Sequence, residues 1–178
     1  SENTDKLDWE EDMEIVFEGE MYTSSNNWVE TQKYDGEEFT GTYCGFDRQG
    51  RQNIKKEYLN GKLNGLYLLF DKRRGIVMDS TTYENGYKEG RDVDYDWSDN
   101  LNKPILAILT TYSKNLKNGF YVKYFSKVEQ IYITGNYKNN RQDGYWEQFH
   151  QNGKIDKKMT FKDGLLIKLL KEYEKDGK

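Results

Sequence analysis

The chain has 178 residues and a formal net charge of −4, with a sequence pI near 5.2. It is long enough to bury a core of its own, and its charge is not that of a dedicated nucleic-acid binder. A hydrophobic content of 35% and a mean hydropathy of −1.06 lean towards disorder, but fifteen Tyr, eight Phe and four Trp oppose it, because disordered chains are poor in aromatics and strands favour them.

The single cysteine, Cys44, excludes an intramolecular disulfide and a thiolate metal cluster. No apolar run approaches the roughly 18 residues of a membrane-spanning helix. The chain begins at Ser1 rather than Met, which is compatible with a removed signal or lipoprotein leader. A single cysteine fits the cytoplasm and the periplasm or envelope equally.

In chain order, residues 1–33 read as an acidic arm followed by a cap hairpin. Residues 1–30 hold ten acids against one base, so that segment carries −9 and the remainder +5. The arm is expected to be irregular or weakly helical. From Ile15 the pattern becomes strand-like, with a Ser/Asn turn at residues 23–27 and a second strand in WVETQKY.

Regular units follow over residues 34–178. A glycine opens an aromatic strand at Gly41, Gly65, Gly90, Gly119 and Gly144, in steps of 24, 25, 29 and 25 residues. Seven positions before each marker stands Tyr34, Tyr58, Tyr83, Tyr112 or Tyr137. Four before it stands Gly61, Gly86, Asn115 or Asn140, the residue types that tolerate positive φ in a tight turn; the first unit departs, with Gly36. Position +5 is aromatic throughout (Phe46, Phe70, Tyr95, Tyr124, Phe149). Position +2 is Tyr43, Tyr67, Tyr121 and Trp146, but Asp92 in the third unit. Phe161, Gly164, Leu170 and Tyr173 fit a truncated last repeat, which favours a closing strand over an amphipathic helix there.

Between markers the chain alternates with period 2, as in Leu106, Ile108, Thr110 and Tyr112, or Ile131, Ile133, Gly135 and Tyr137. The expected fold is all-β: an elongated antiparallel meander of repeated hairpins. Positions +2 and +5 have opposite parity, so the two sets of rings fall on opposite faces unless a bulge intervenes. The 29-residue step implies an insertion at about residues 92–104, DVDYDWSDNLNKP, expected to form a loop on one face.

The columns aromatic-x-Asn-Gly-Lys-x-x-Gly-x-aromatic-x-x-aromatic, best seen at Tyr58–Phe70 and Tyr137–Phe149, resemble the variant MORN repeat of the YwqK-like family. The resemblance implies a bacterial antitoxin or immunity protein that binds and neutralises a cognate toxin or effector. It brings no catalytic motif. Asp92 at an aromatic column and the long third unit depart from the pattern.

Catalytic chemistry finds little footing. His150 is the only histidine, Cys44 reads as a strand cysteine, and neither a nucleophile elbow nor a phosphate loop is present. Asp92, Asp94 and Asp96 alternate, with Asp99 nearby, and resemble the opening of a calcium loop. Trp97 stands where that loop needs Gly and Lys103 where it needs Glu, so no metal and no cofactor is expected. The same residues suit a carboxylate patch with aromatic anchors meeting a basic partner.

The expectation is therefore a non-enzymatic protein-binding repeat domain that occludes a toxin, for which a nuclease is a fitting charge complement. It would be monomeric before complex formation, without nucleic-acid binding and without direct membrane binding by the repeat body. Partner contacts are expected at Asp92, Asp94, Asp96, Trp97, Asp99, Tyr67, Tyr121 and Trp146, with help from the acidic arm. The alternative is an exported or lipid-anchored envelope module that binds glycan or scaffolds other proteins.

Overall fold

A computed structural model describes residues 18–20, 29–31, 33–34, 37–47 and 49–172. The acidic arm before Glu18 and the turn at residues 23–27 lie outside them, as do Gly36 and Tyr173. Two short pieces, β1 (Glu18–Glu20) and β2 (Val29–Thr31), pair antiparallel, and Thr31 lies opposite Lys62. A separate two-residue pair follows, β3 (Lys33–Tyr34) with β4 (Glu37–Glu38).

The repeat array is a meander in which each strand pairs with the next. It runs β5 (Gly41–Phe46), β6 (Gln52–Leu59), β7 (Lys62–Phe70), β8 (Val77–Glu84), β9 (Tyr87–Ser98) and β10 (Lys103–Ser113). It continues through β11 (Leu116–Tyr124), β12 (Ile131–Lys138), β13 (Arg141–Phe149), β14 (Ile155–Lys162) and β15 (Leu165–Glu172). The described residues form no helix, and every pairing is antiparallel. The chain's last unit closes with a strand, as the columns indicated.

Two devices recur along the described array and explain the period. The tight turns put both central residues at positive φ: Asn60–Gly61 (49° and 72°), Asn85–Gly86 (51° and 84°), Lys114–Asn115 (48° and 65°), Asn139–Asn140 (48° and 66°) and Asp163–Gly164 (51° and 84°). These are mirror-image turns, whose twist matches that of the flanking strands. The second turn residue also ties one unit to the previous one. The N–H groups of Gly61, Gly86, Asn115, Asn140 and Gly164 donate to the carbonyls of Phe39, Leu63, Lys88, Lys117 and Gln142 at 2.7–3.1 Å. Where the residue is Asn, its Oδ1 adds a return bond: Asn115 accepts from Lys88 N–H at 2.6 Å and Asn140 from Lys117 N–H at 2.7 Å.

The second device is a one-residue bulge between positions +4 and +5. It falls at Gly45/Phe46, Leu69/Phe70, Asp94/Tyr95, Lys123/Tyr124 and Gln148/Phe149, with the extra residue on the facing strand. Bulges bend and twist the strands that carry them. Because the extra residue lies on the facing strand, the +2 and +5 rings keep the opposite parity of their own strand.

The +2 column forms one row across the sheet. Tyr43 faces Lys56, which faces Tyr67; Tyr67 faces Thr81, which faces Asp92; Asp92 faces Thr110, which faces Tyr121. Tyr121 faces Gly135, and the indole of Trp146 fills the space a Cβ on Gly135 would occupy. Trp146 then faces Met159. Partners directly opposite on one face are the unit of sheet stabilisation.

At this end the row packs best. Trp146 is 1% exposed, donates its Nε1–H to the Asn136 carbonyl at 3.1 Å, and meets Tyr121, Tyr137 and Phe161 at ring-centroid distances of 5.7, 5.2 and 6.0 Å. Burial of such a ring contributes several kcal/mol. Its expected role as a partner contact is therefore corrected: Trp146 is core.

The insertion is also corrected. Residues 92–104 do not form a loop on one face; they lengthen the β9–β10 hairpin, and only residues 99–102 turn. The reason is the period-2 alternation of Asp92, Val93, Asp94, Tyr95, Asp96 and Trp97, a strand pattern despite its charge. Pro104 sits near the start of β10 opposite Trp97, a strand position that tolerates the missing N–H.

Candidate binding face

Asp92 stands in the middle of the +2 row, where the other units place a ring. Thr110 separates it from Tyr121 on one side and Thr81 separates it from Tyr67 on the other. Tyr67 and Tyr121 are both half-buried and lie close to Asp92 and Asp94 on one face, which Asp96 and the buried Trp146 also share. The two threonines are small enough to bring the flanking strands' rings and acids together, and both are buried.

Asp92 is held from two sides. The Thr81 hydroxyl donates to Asp92 Oδ1 at 2.6 Å, and Lys88 Nζ lies 3.0 Å from Oδ2. The same ammonium sits 5.1 Å from the Tyr112 ring centroid, a cation–π arrangement. Two residues along β9, Asp94 lies directly opposite Asp79 of β8. Thr81 Oγ1 is also 3.3 Å from Asp79 Oδ1, yet a hydroxyl has a single proton to donate.

Asp79, Asp92 and Asp94 thus crowd one lysine. Burial pushes the Asp94 carboxyl up to about 6, with a hydrogen bond to Asp79, the Asp79 charge and the Asp92 charge adding to it and Lys88 opposing. Burial likewise raises the Tyr112 phenol, with Lys88 opposing and the Asp92 and Asp94 charges adding. It raises the Tyr121 phenol too, helped by Tyr137 and Asp94.

The remaining expected residues are spread out. Asp96 lies opposite Ile105, one alternate step beyond Asp94, and is half-buried. Asp99 is exposed at the hairpin turn. Trp97 stacks on the Arg74 guanidinium at 4.1 Å, and Arg74 is also paired with Asp71 at 3.1 Å. Trp97 therefore pins the β7–β8 loop against the end of β9.

The three alternating aspartates lie in extended backbone, which spaces like-facing carboxylates by about 7 Å along the strand rather than wrapping them around a cation. Among the described residues no group of three or more Asp, Glu, His or Cys is placed to hold a metal ion.

Asp79, Thr81, Lys88 and Tyr112 complete the cluster and were not singled out from the sequence. Asp79 had a signal: it occupies the column of Ile54, Ile108 and Ile133, four before the unit's tyrosine. On the opposite face, Phe46, Phe120 and Tyr145 are exposed rings; the last two occupy position +1, alternating with the packed Tyr121 and Trp146.

Comparison with protein-family models, with curated proteins and with solved structures finds no match to this chain.

Proposed function

We propose that this chain is a variant MORN-repeat protein of the YwqK-like type and serves as a bacterial immunity or antitoxin protein, neutralising a cognate toxin or effector by direct, non-catalytic occlusion. The observation that carries this reading is the row Tyr67–Thr81–Asp92–Thr110–Tyr121. It places an acidic cluster with one lysine between two half-buried tyrosines on a sheet face. Aromatic rings beside charges that lack full compensation are the composition of a binding hot spot for a basic surface. A nuclease-type toxin, which carries positive charge for phosphate, is the best complement.

The test is co-expression with the product of the adjacent gene. The wild type is expected to co-purify with it and to restore growth where that product alone inhibits it. Replacing Asp92, Asp94, Asp96 and Asp99 together by Asn is expected to weaken both effects. A neighbour that neither inhibits growth nor co-purifies would overturn the reading.

A further inference from the structure

We propose that Asp79 and Asp94 form a proton-controlled seam in the middle of the sheet: their carboxyl groups share one proton, and its loss weakens the pairing of β8 with β9. The register places the two residues directly opposite each other, where like charges destabilise an antiparallel pair.

The surroundings supply little compensation. On β9, Lys88 is engaged with Asp92 at 3.0 Å, while Asp92 and Asp96 add negative charge on the same face. On β8, Thr81 already donates to Asp92 at 2.6 Å. From β10, Ile108 stands opposite Asp94 and the Tyr112 phenol lies within its field. From β11 come the Tyr121 phenol and Lys123, which faces Ile108 rather than an aspartate and is exposed. A proton held between the two carboxyls turns repulsion into a short O–H···O bond.

The seam matters because of the meander. Each unit is bonded only to its neighbours, so a weakened β8–β9 pairing separates the β5–β8 end from the β9–β15 end. The sign follows from the raised Asp94 value of about 6 against an ordinary 3.8. The folded state holds the proton more tightly than the unfolded chain, so the contribution is complete below pH ~4 and is lost as pH rises through about 6. A shift of this size allows at most about 100-fold in the folding equilibrium, and solvent screening of a part-exposed group reduces it to about tenfold.

Denaturant unfolding of the full chain from pH 4.5 to 7.5 tests this, using the wild type, Asp79→Asn and Asp94→Asn. The amide supplies a permanent donor in place of the titrating proton. Relative to either variant, the wild-type folding constant is expected to fall about tenfold from pH 4.5 to 7; a ratio constant to within twofold overturns the proposal. If the variants do not fold, native-state hydrogen exchange of the wild type decides. Corrected for intrinsic rates, β8 and β9 amides are expected to lose about tenfold more protection between pH 5 and 7 than those of β13 and β14. Equal changes in both regions overturn it.

Discussion

Trp146 occupies the space that a Cβ on Gly135 would need. The glycine is thus a packing requirement, and it sits in the column that holds Thr81 and Thr110 in earlier units. Gly135→Ala is expected to cost about 1–3 kcal/mol through overpacking, and Trp146→Ala about 3–5 kcal/mol through the cavity left among Tyr121, Tyr137 and Phe161. Urea unfolding of the two variants measures both. An unchanged midpoint for Gly135→Ala would show that the row does not pack as described.

The turn asparagines do more than accept positive φ. Asn140 both donates to and accepts from the backbone of Lys117, clasping one hairpin to the next. Asn140→Ala loses the side-chain bond and keeps the unfavourable φ of 66°. It is expected to destabilise by about 1–2 kcal/mol. Asn140→Gly, which relieves the backbone but still loses the bond, should fall between it and the wild type.

These two sites mark how much of the molecule could be read from its residues. The period, the Asn and Gly turns, the closing strand and the all-β meander followed from columns of residues with strict local demands. Residues 92–104 misled because an insertion in a repeat array usually forms a loop, while the period-2 alternation underneath belonged to a longer hairpin. Trp146 misled because parity along a strand cannot tell which face packs. Asp79 was missed because its importance comes from register: it faces Asp94 only once β8 and β9 are paired.

Lys88 opposes the upward shift of Asp94. Lys88→Met should therefore raise the Asp94 carboxyl above its wild-type value of about 6 and move the loss of seam stability to higher pH. Carboxyl ¹³C titration by NMR reads this directly. A downward or absent shift in the variant would contradict the placement of that ammonium.

Asp47 behaves in the opposite sense. Its carboxylate accepts from the Arg51 side chain and from the backbone N–H groups of Arg51 and Gln49 at 2.9–3.0 Å, and the Arg51 hydrogen bonds hold it down to about 2. A lowered folded-state value gives a contribution present above the ordinary 3.8 and lost as pH falls towards 2. In the same NMR titration Asp47 is expected to stay ionised at pH 3, where Asp94 is protonated. Protonation of both together near pH 4 would contradict the loop geometry.

The most direct measurement for the proposed function is hydrogen exchange of the full chain, alone and with the co-expressed product of the adjacent gene. Protection is expected to concentrate on β7 to β11, around Tyr67, Asp92, Asp94 and Tyr121, and to weaken as salt is raised. A complex whose protection lies wholly elsewhere, or no complex at all, would contradict the assignment of this face as the binding surface.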